Sequence, residues 1–166
     1  MRRLRLALAT HLESTHVARV VYGAIIGLAL VVALQAHPPG AGAVVALLVG
    51  TAVAVGVAEL YSEVLGAETR MRRRPRRDEI VPLLDDSVAV AFGTAFPAVF
   101  FLLAMANVID DDTAFNAAKW SGLGLIAFYG YCAGRLAGSG PKGALLQAFT
   151  VALIGGALIG LKALLH

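Results

Sequence analysis

The sequence has little charge, a single cysteine and no catalytic signature. Only 15% of its 166 residues are Asp, Glu, Lys or Arg, where soluble domains carry about a quarter. A chain this small has much surface for its volume, so a water-solvated fold needs more charge than that. Cys132 alone excludes an internal disulfide and any Cys-x-x-Cys metal pair. It lies in an apolar run and reads as a buried, unreactive thiol. No nucleophile–base pair, phosphate-binding loop or His-Glu-x-x-His motif is present, so nothing supports an enzyme or a bound cofactor. Alternating segments of the β-barrel type are missing. The arginines have no aromatic platform beside them, which argues against nucleic acid as a partner.

What the chain does have is apolar length: 58% of its residues are hydrophobic. A membrane helix needs roughly 20 largely apolar residues to cross about 30 Å of hydrocarbon. Five segments meet this, over about 17–36, 41–61, 87–109, 117–136 and 143–165. The first stops at His37-Pro38-Pro39-Gly40, a strong turn signal. Pro97 is expected to kink the third. The prediction is an all-α, five-helix membrane bundle. Residues 1–16 form a separate N-terminal segment, in which Leu4, Leu8 and Leu12 share one face of an amphipathic interfacial helix. Residues 66–86 form the one sizeable polar loop, and it holds Arg70, Arg72, Arg73, Arg74, Arg76 and Arg77.

Charge fixes the expected orientation. With the N-terminus in the cytoplasm and the C-terminus outside, twelve of the fourteen basic residues lie inside, leaving Lys119 and Lys162 outside. The triplet Asp110-Asp111-Asp112 then faces out. The arginine run reads either as a topology determinant or as a contact for anionic lipid. A bacterial inner (plasma) membrane suits a chain of this size.

Two kinds of motif stand out. Small residues recur four apart at Gly23 and Gly27, Gly130 and Gly134, and Gly156 and Gly160. Such pairs let helices approach closely, within one chain or between two. Carboxylates sit at the inner boundary of the spans: Glu59 and Glu63 share a helical face, and Asp85 and Asp86 open the third span on the same side. Converged, these four would offer a divalent cation the oxygen ligands it prefers. Alternatively, the aspartates stabilise a helix N-terminus and the glutamates pair with nearby arginines.

Several fragments resemble the vacuolar iron transporter family. Arg19-Val20-Val21-Tyr22-Gly23-Ala24-Ile25-Ile26-Gly27 is similar to its first helix in the arginine and both glycines. Ala54-Val55-Gly56-Val57-Ala58-Glu59-Leu60-Tyr61-Ser62 keeps the glutamate and serine of its second. Pro97, the run from Gly130 to Arg135, and Ile154-Gly155-Gly156-Ala157 match later features in order. The resemblance implies five helices, a homodimer and export of divalent metal such as iron or manganese from the cytoplasm in exchange for protons, with Glu59 on the path. The family's asparagine and aspartate are replaced here by Ile25 and Ile26, and its methionine by Val55. Those replacements frame the alternative, a non-transporting membrane scaffold or partner subunit.

Overall fold

The computed structural model describes residues 14–165, and every element among them is an α-helix. In chain order these are α1 (Ser14–Leu34), α2 (Ala41–Met71), α3 (Arg77–Ala95), α4 (Ala98–Met105), α5 (Asp111–Leu136) and α6 (Pro141–Leu165). The amphipathic segment expected over 1–16 lies almost wholly outside the described residues.

Two helices, His16–Leu34 within α1 and Ala41–Met71, are long and apolar enough to cross a membrane; counting the bent pair α3–α4 as one span makes three. That pair bends by 49° at a two-residue break, Phe96-Pro97. Proline brings no N–H to the helical ladder, and the chain resumes through short bonds, Val99 N–H to the Phe96 carbonyl (3.3 Å) and Phe100 N–H to that of Pro97 (3.2 Å). The kink expected at Pro97 is therefore present. The outer surface carries large apolar side chains such as Val53, Val57, Val88, Phe128, Leu146 and Phe149, each well over half exposed. So much apolar surface is stable facing hydrocarbon and costly facing water. Such apolar helices are compatible with an integral membrane protein.

One boundary differs from expectation. The polar segment over 66–86 is mostly helical: α2 continues to Met71 and α3 already begins at Arg77, leaving only 72–76 as a turn. Ala, Glu, Arg and Met are strong helix formers, so loss of hydrophobicity does not end a helix here. Arg72, in the left-handed conformation at φ 52°, ends it instead.

The packing register shows alternating directions. Gly23 of α1 lies on Val90 of α3, Gly27 on Thr94 and His16 beside Asp86, so α1 and α3 run parallel. Glu59 and Glu63 of α2 reach Arg19, while Val44 and Leu48 join Val31 in a core cluster, so α2 runs the opposite way. Ala118 and Phe115 of α5 meet that same cluster and Ile126 meets Leu28 and Ala24, making α5 antiparallel to α1. Ala144 and Ala148 of α6 then sit on Gly134 and Gly130. A Cβ on Gly134 would stand 2.7 Å from the Ala144 Cα, so only glycine permits this approach. Gly23/Gly27 and Gly130/Gly134 are therefore used within the chain.

This arrangement collects Arg19, the 70–77 arginines, Arg135 and Lys142 at one end of the bundle, and Asp110, Asp111 and Asp112 at the other. The main apolar core lies toward the acidic end, where the rings of Phe101 and Phe115 meet edge-on at 4.8 Å.

Candidate functional site

The ionisable groups that sit deepest in the helices meet at the basic end. Glu59 and Glu63 are one turn apart on α2 and point toward α1. Arg19, the only Lys or Arg of α1, places one guanidinium nitrogen on each carboxylate, bridging the two. All three side chains are half-buried, Glu59 the most at 15% exposed. Counting formal charges, one cation against two anions leaves the triad with a net charge of −1. The 18 residues of α2 before Glu59 carry no charge; at helical rise they span about 27 Å, nearly the hydrocarbon thickness.

Asp85 and Asp86 do not join this pair. Asp86 lies 3.5 Å from His16 Nδ1, an ion pair when the imidazole is protonated. Asp85 is exposed and lines a cleft of about 460 Å³ with His16, Val20, Val88, Phe92 and Tyr129. Adjacent helical residues point about 100° apart, so two consecutive aspartates cannot both face α2. The four carboxylates are thus divided between α1–α2 and α1–α3. Among the described residues, no three His, Cys, Asp or Glu side chains are placed to hold a metal ion. Sequence reasoning treated Arg19 as a topology charge and a family motif residue, and it missed Arg19 as the shared counter-ion. The available signal was a solitary basic residue early in an apolar run, opposite two glutamates at helical spacing.

Beyond Glu59 the interior turns apolar. Among the described residues, Ser87 and Thr94 are the only buried polar side chains. Both hydroxyls are satisfied: Ser87 donates to the Leu83 carbonyl at 2.9 Å, and Thr94 lies within 3.1 Å of the carbonyls of Val90 and Gly23.

The turn at the basic end is closed by a second acidic contact. Glu79 accepts from Arg73 Nη2 at 2.6 Å and Nη1 at 2.9 Å, and from the Arg76 backbone N–H at 2.7 Å. The Arg73 side-chain bonds, then the Arg76 backbone N–H, hold its carboxyl well below the usual 4.5, at about 2. A lowered carboxyl contributes stability that is complete above its unfolded value and is lost as pH falls through the folded value. The contact should thus hold its full stabilisation only above pH 5, lose more than half of it by pH 3 and be gone near pH 1. Hydrogen exchange in the first turn of α3 tests this. Wild type should keep protection at pH 5 and only a minor part of it at pH 3, and Glu79→Gln should lack it at both. Equal protection of the two proteins at pH 5 would remove Glu79 from this role.

No family model, curated protein or solved structure matches the chain.

Proposed function

We propose that this chain is a transporter-like membrane protein with five spans, formed by α1, α2, the bent pair α3–α4, α5 and α6. The arginine end faces the cytoplasm and the C-terminus lies outside. The alternating helix directions and the segregation of basic residues to one end support this topology. Asp110 caps α5 at the opposite end by accepting from the Thr113 backbone N–H at 2.7 Å; the acidic triplet there suits the outer face.

In this reading Glu59 and Glu63 form the cation-binding pair, and Arg19 is the counter-ion that holds the site shut. The observation that carries it is the triad itself. Charged groups within membrane helices are costly and are kept where they do work, and this group retains an excess negative charge at the cytoplasmic mouth. A divalent cation displaces the guanidinium and takes both carboxylates; a proton is the natural counter-flow, because a carboxylate holds either. Iron(II) and manganese(II) are the cargo implied by the family resemblance. A Cβ on Gly156 or Gly160 would meet nothing among the described residues, which leaves that edge of α6 open to the second copy of a homodimer.

The apolar interior beyond Glu59, with Ile25, Ile26 and Val55 where the resembled family has ligands, favours a second reading: a membrane scaffold or partner subunit that has lost the ion path. Flux of iron, manganese and cobalt in vesicles of the purified protein separates the two. Transport requires flux in wild type that Glu59→Gln abolishes. Flux unchanged by Glu59→Gln rejects the assigned role, and no flux in wild type leaves the scaffold reading.

A further inference from the structure

We propose that the α2/α3 face binds an anionic phospholipid, with an acyl chain in the groove between the helices and the phosphate held by Arg70 and Arg77. The inference needs only that the bundle sits in a membrane, and it holds whether or not the protein transports.

The groove has a volume of about 240 Å³ and is lined by small and aliphatic side chains, among them Ala52, Gly56 and Leu60 of α2 and Leu84, Val88 and Ala91 of α3. Its one hydroxyl, on Ser87, is already bonded to the Leu83 carbonyl. The groove is shallow and bare because Ala52, Gly56 and Ala91 are small at its floor, where a Cβ on Gly56 would stand 3.3 Å from the Ala91 Cβ. A slot of this chemistry on a membrane-facing surface accepts hydrocarbon and offers nothing to a polar ligand.

The same face becomes basic toward the cytoplasmic end. At 100° per residue, Ala52 and Arg70 share one azimuth of α2, within about 80° of which lie Gly56, Leu60 and Ala67, and Leu84, Ile80 and Arg77 continue the α3 side. Arg70 lies back along its own helix. Its Nη1 is 3.4 Å from where a Gly66 Cβ would stand, a position a larger side chain at Gly66 would obstruct. The guanidinium therefore sits near the level of Gly66, about 10 Å beyond Glu59 at helical rise. The head-group layer occupies about 5–8 Å outside the hydrocarbon. The charge is thus placed beside the lipid phosphates. Among the described residues, Arg70 and Arg77 have no acidic partner. Glu63 shares this face and is paired with Arg19, which it shares with Glu59. A greasy slot ending in two unpaired guanidiniums matches a lipid carrying net negative charge.

The test is native mass spectrometry of the full chain, purified in mild detergent from nanodiscs containing equal dioleoyl phosphatidylglycerol and dioleoyl phosphatidylcholine. Wild type should retain phosphatidylglycerol preferentially. Each arginine is worth about five-fold at a membrane surface, so Arg70→Gln/Arg77→Gln should lower that preference roughly thirty-fold. Val53→Trp fills the groove from its lipid-facing rim, leaves the helix contacts intact, and should lower retention of both lipids. Arg72→Gln/Arg74→Gln removes equal charge from the same hairpin off this face, and should change little. If it matches the Arg70/Arg77 pair, attraction is diffuse and the site is wrong. Equal retention of the two lipids by wild type, or displacement of the lipid by 10 mM inorganic phosphate, would also overturn it.

Discussion

Gly23→Val should take the bundle apart, at a cost of about 3 kcal/mol or more. The physical reason is that α1 and α3 touch backbone to backbone. A Cβ on Gly23 would overlap the Val90 carbonyl, one on Gly27 would stand 2.6 Å from the Thr94 carbonyl oxygen, and one on Gly93 would collide with the Val20 carbonyl. Backbone atoms inside a helix cannot turn aside as a flexible side chain does, so the helices must separate. Separation also pulls the Thr94 hydroxyl from the Gly23 carbonyl, 3.1 Å away and buried. In lipid no water replaces that bond. The damage spreads, because α1 also seats α5 and α6, and α3 also packs on α2. The measurement is a thermal or denaturant melt in detergent, read beside Gly50→Ala and Gly124→Ala. Those two positions have open space where the methyl would go. Alanine is the better helix former by about 1 kcal/mol, so both controls should match or exceed wild type. A Gly23→Val protein that melts with wild type would mean that α1 and α3 do not pack in this register.

That contact illustrates what the sequence makes legible and what it hides. Length and hydropathy identify the apolar helices around 17–36 and 41–61, and Pro97 marks the break in the third, because these are local properties of the chain. Two of the three glycine pairs are also meaningful in sequence, yet spacing alone does not say which helix each pair meets. Gly23/Gly27 takes α3 and Gly130/Gly134 takes α6, a decision made by complementary small residues, Gly93 and Ala144, far away in the chain. The 66–86 segment misleads because hydropathy reports solvent, whereas helix propensity decides whether the backbone keeps winding. The carboxylates mislead in another way. Their shared level in the membrane is readable from the lengths of the spans. Their separation, with Glu59 and Glu63 on Arg19, Asp86 beside His16 and Asp85 exposed, depends on the azimuth of each helix about its axis, and that is set by the α1/α3 contact. His16 and Arg19 are three residues apart on α1 and serve different neighbours, α3 and α2 respectively.

Arg19→Gln tests what the triad is for. The substitution leaves two carboxylates one turn apart on α2 with no cation beside them. Removing one member of a buried ion pair typically costs 3–5 kcal/mol; these side chains keep some exposure, so a loss of about 2 kcal/mol is expected. Because the cost arises from uncompensated charge, neutralising the glutamates as well should restore stability. The triple variant Arg19→Gln/Glu59→Gln/Glu63→Gln should therefore melt close to wild type, although it has lost every ionic contact of the site. A melt as low as that of Arg19→Gln alone would show that Arg19 acts through packing of its stem and not through charge. The same pair of variants bears on function through manganese(II) binding, measured by calorimetry on the purified protein. If Arg19 holds a cation site closed, Arg19→Gln should bind manganese more tightly than wild type while being less stable, and the triple variant should be stable and bind none. Opposite movement of stability and binding is what a counter-ion competing with cargo produces. In a purely structural ion pair the substitution would lower stability and leave manganese binding absent throughout.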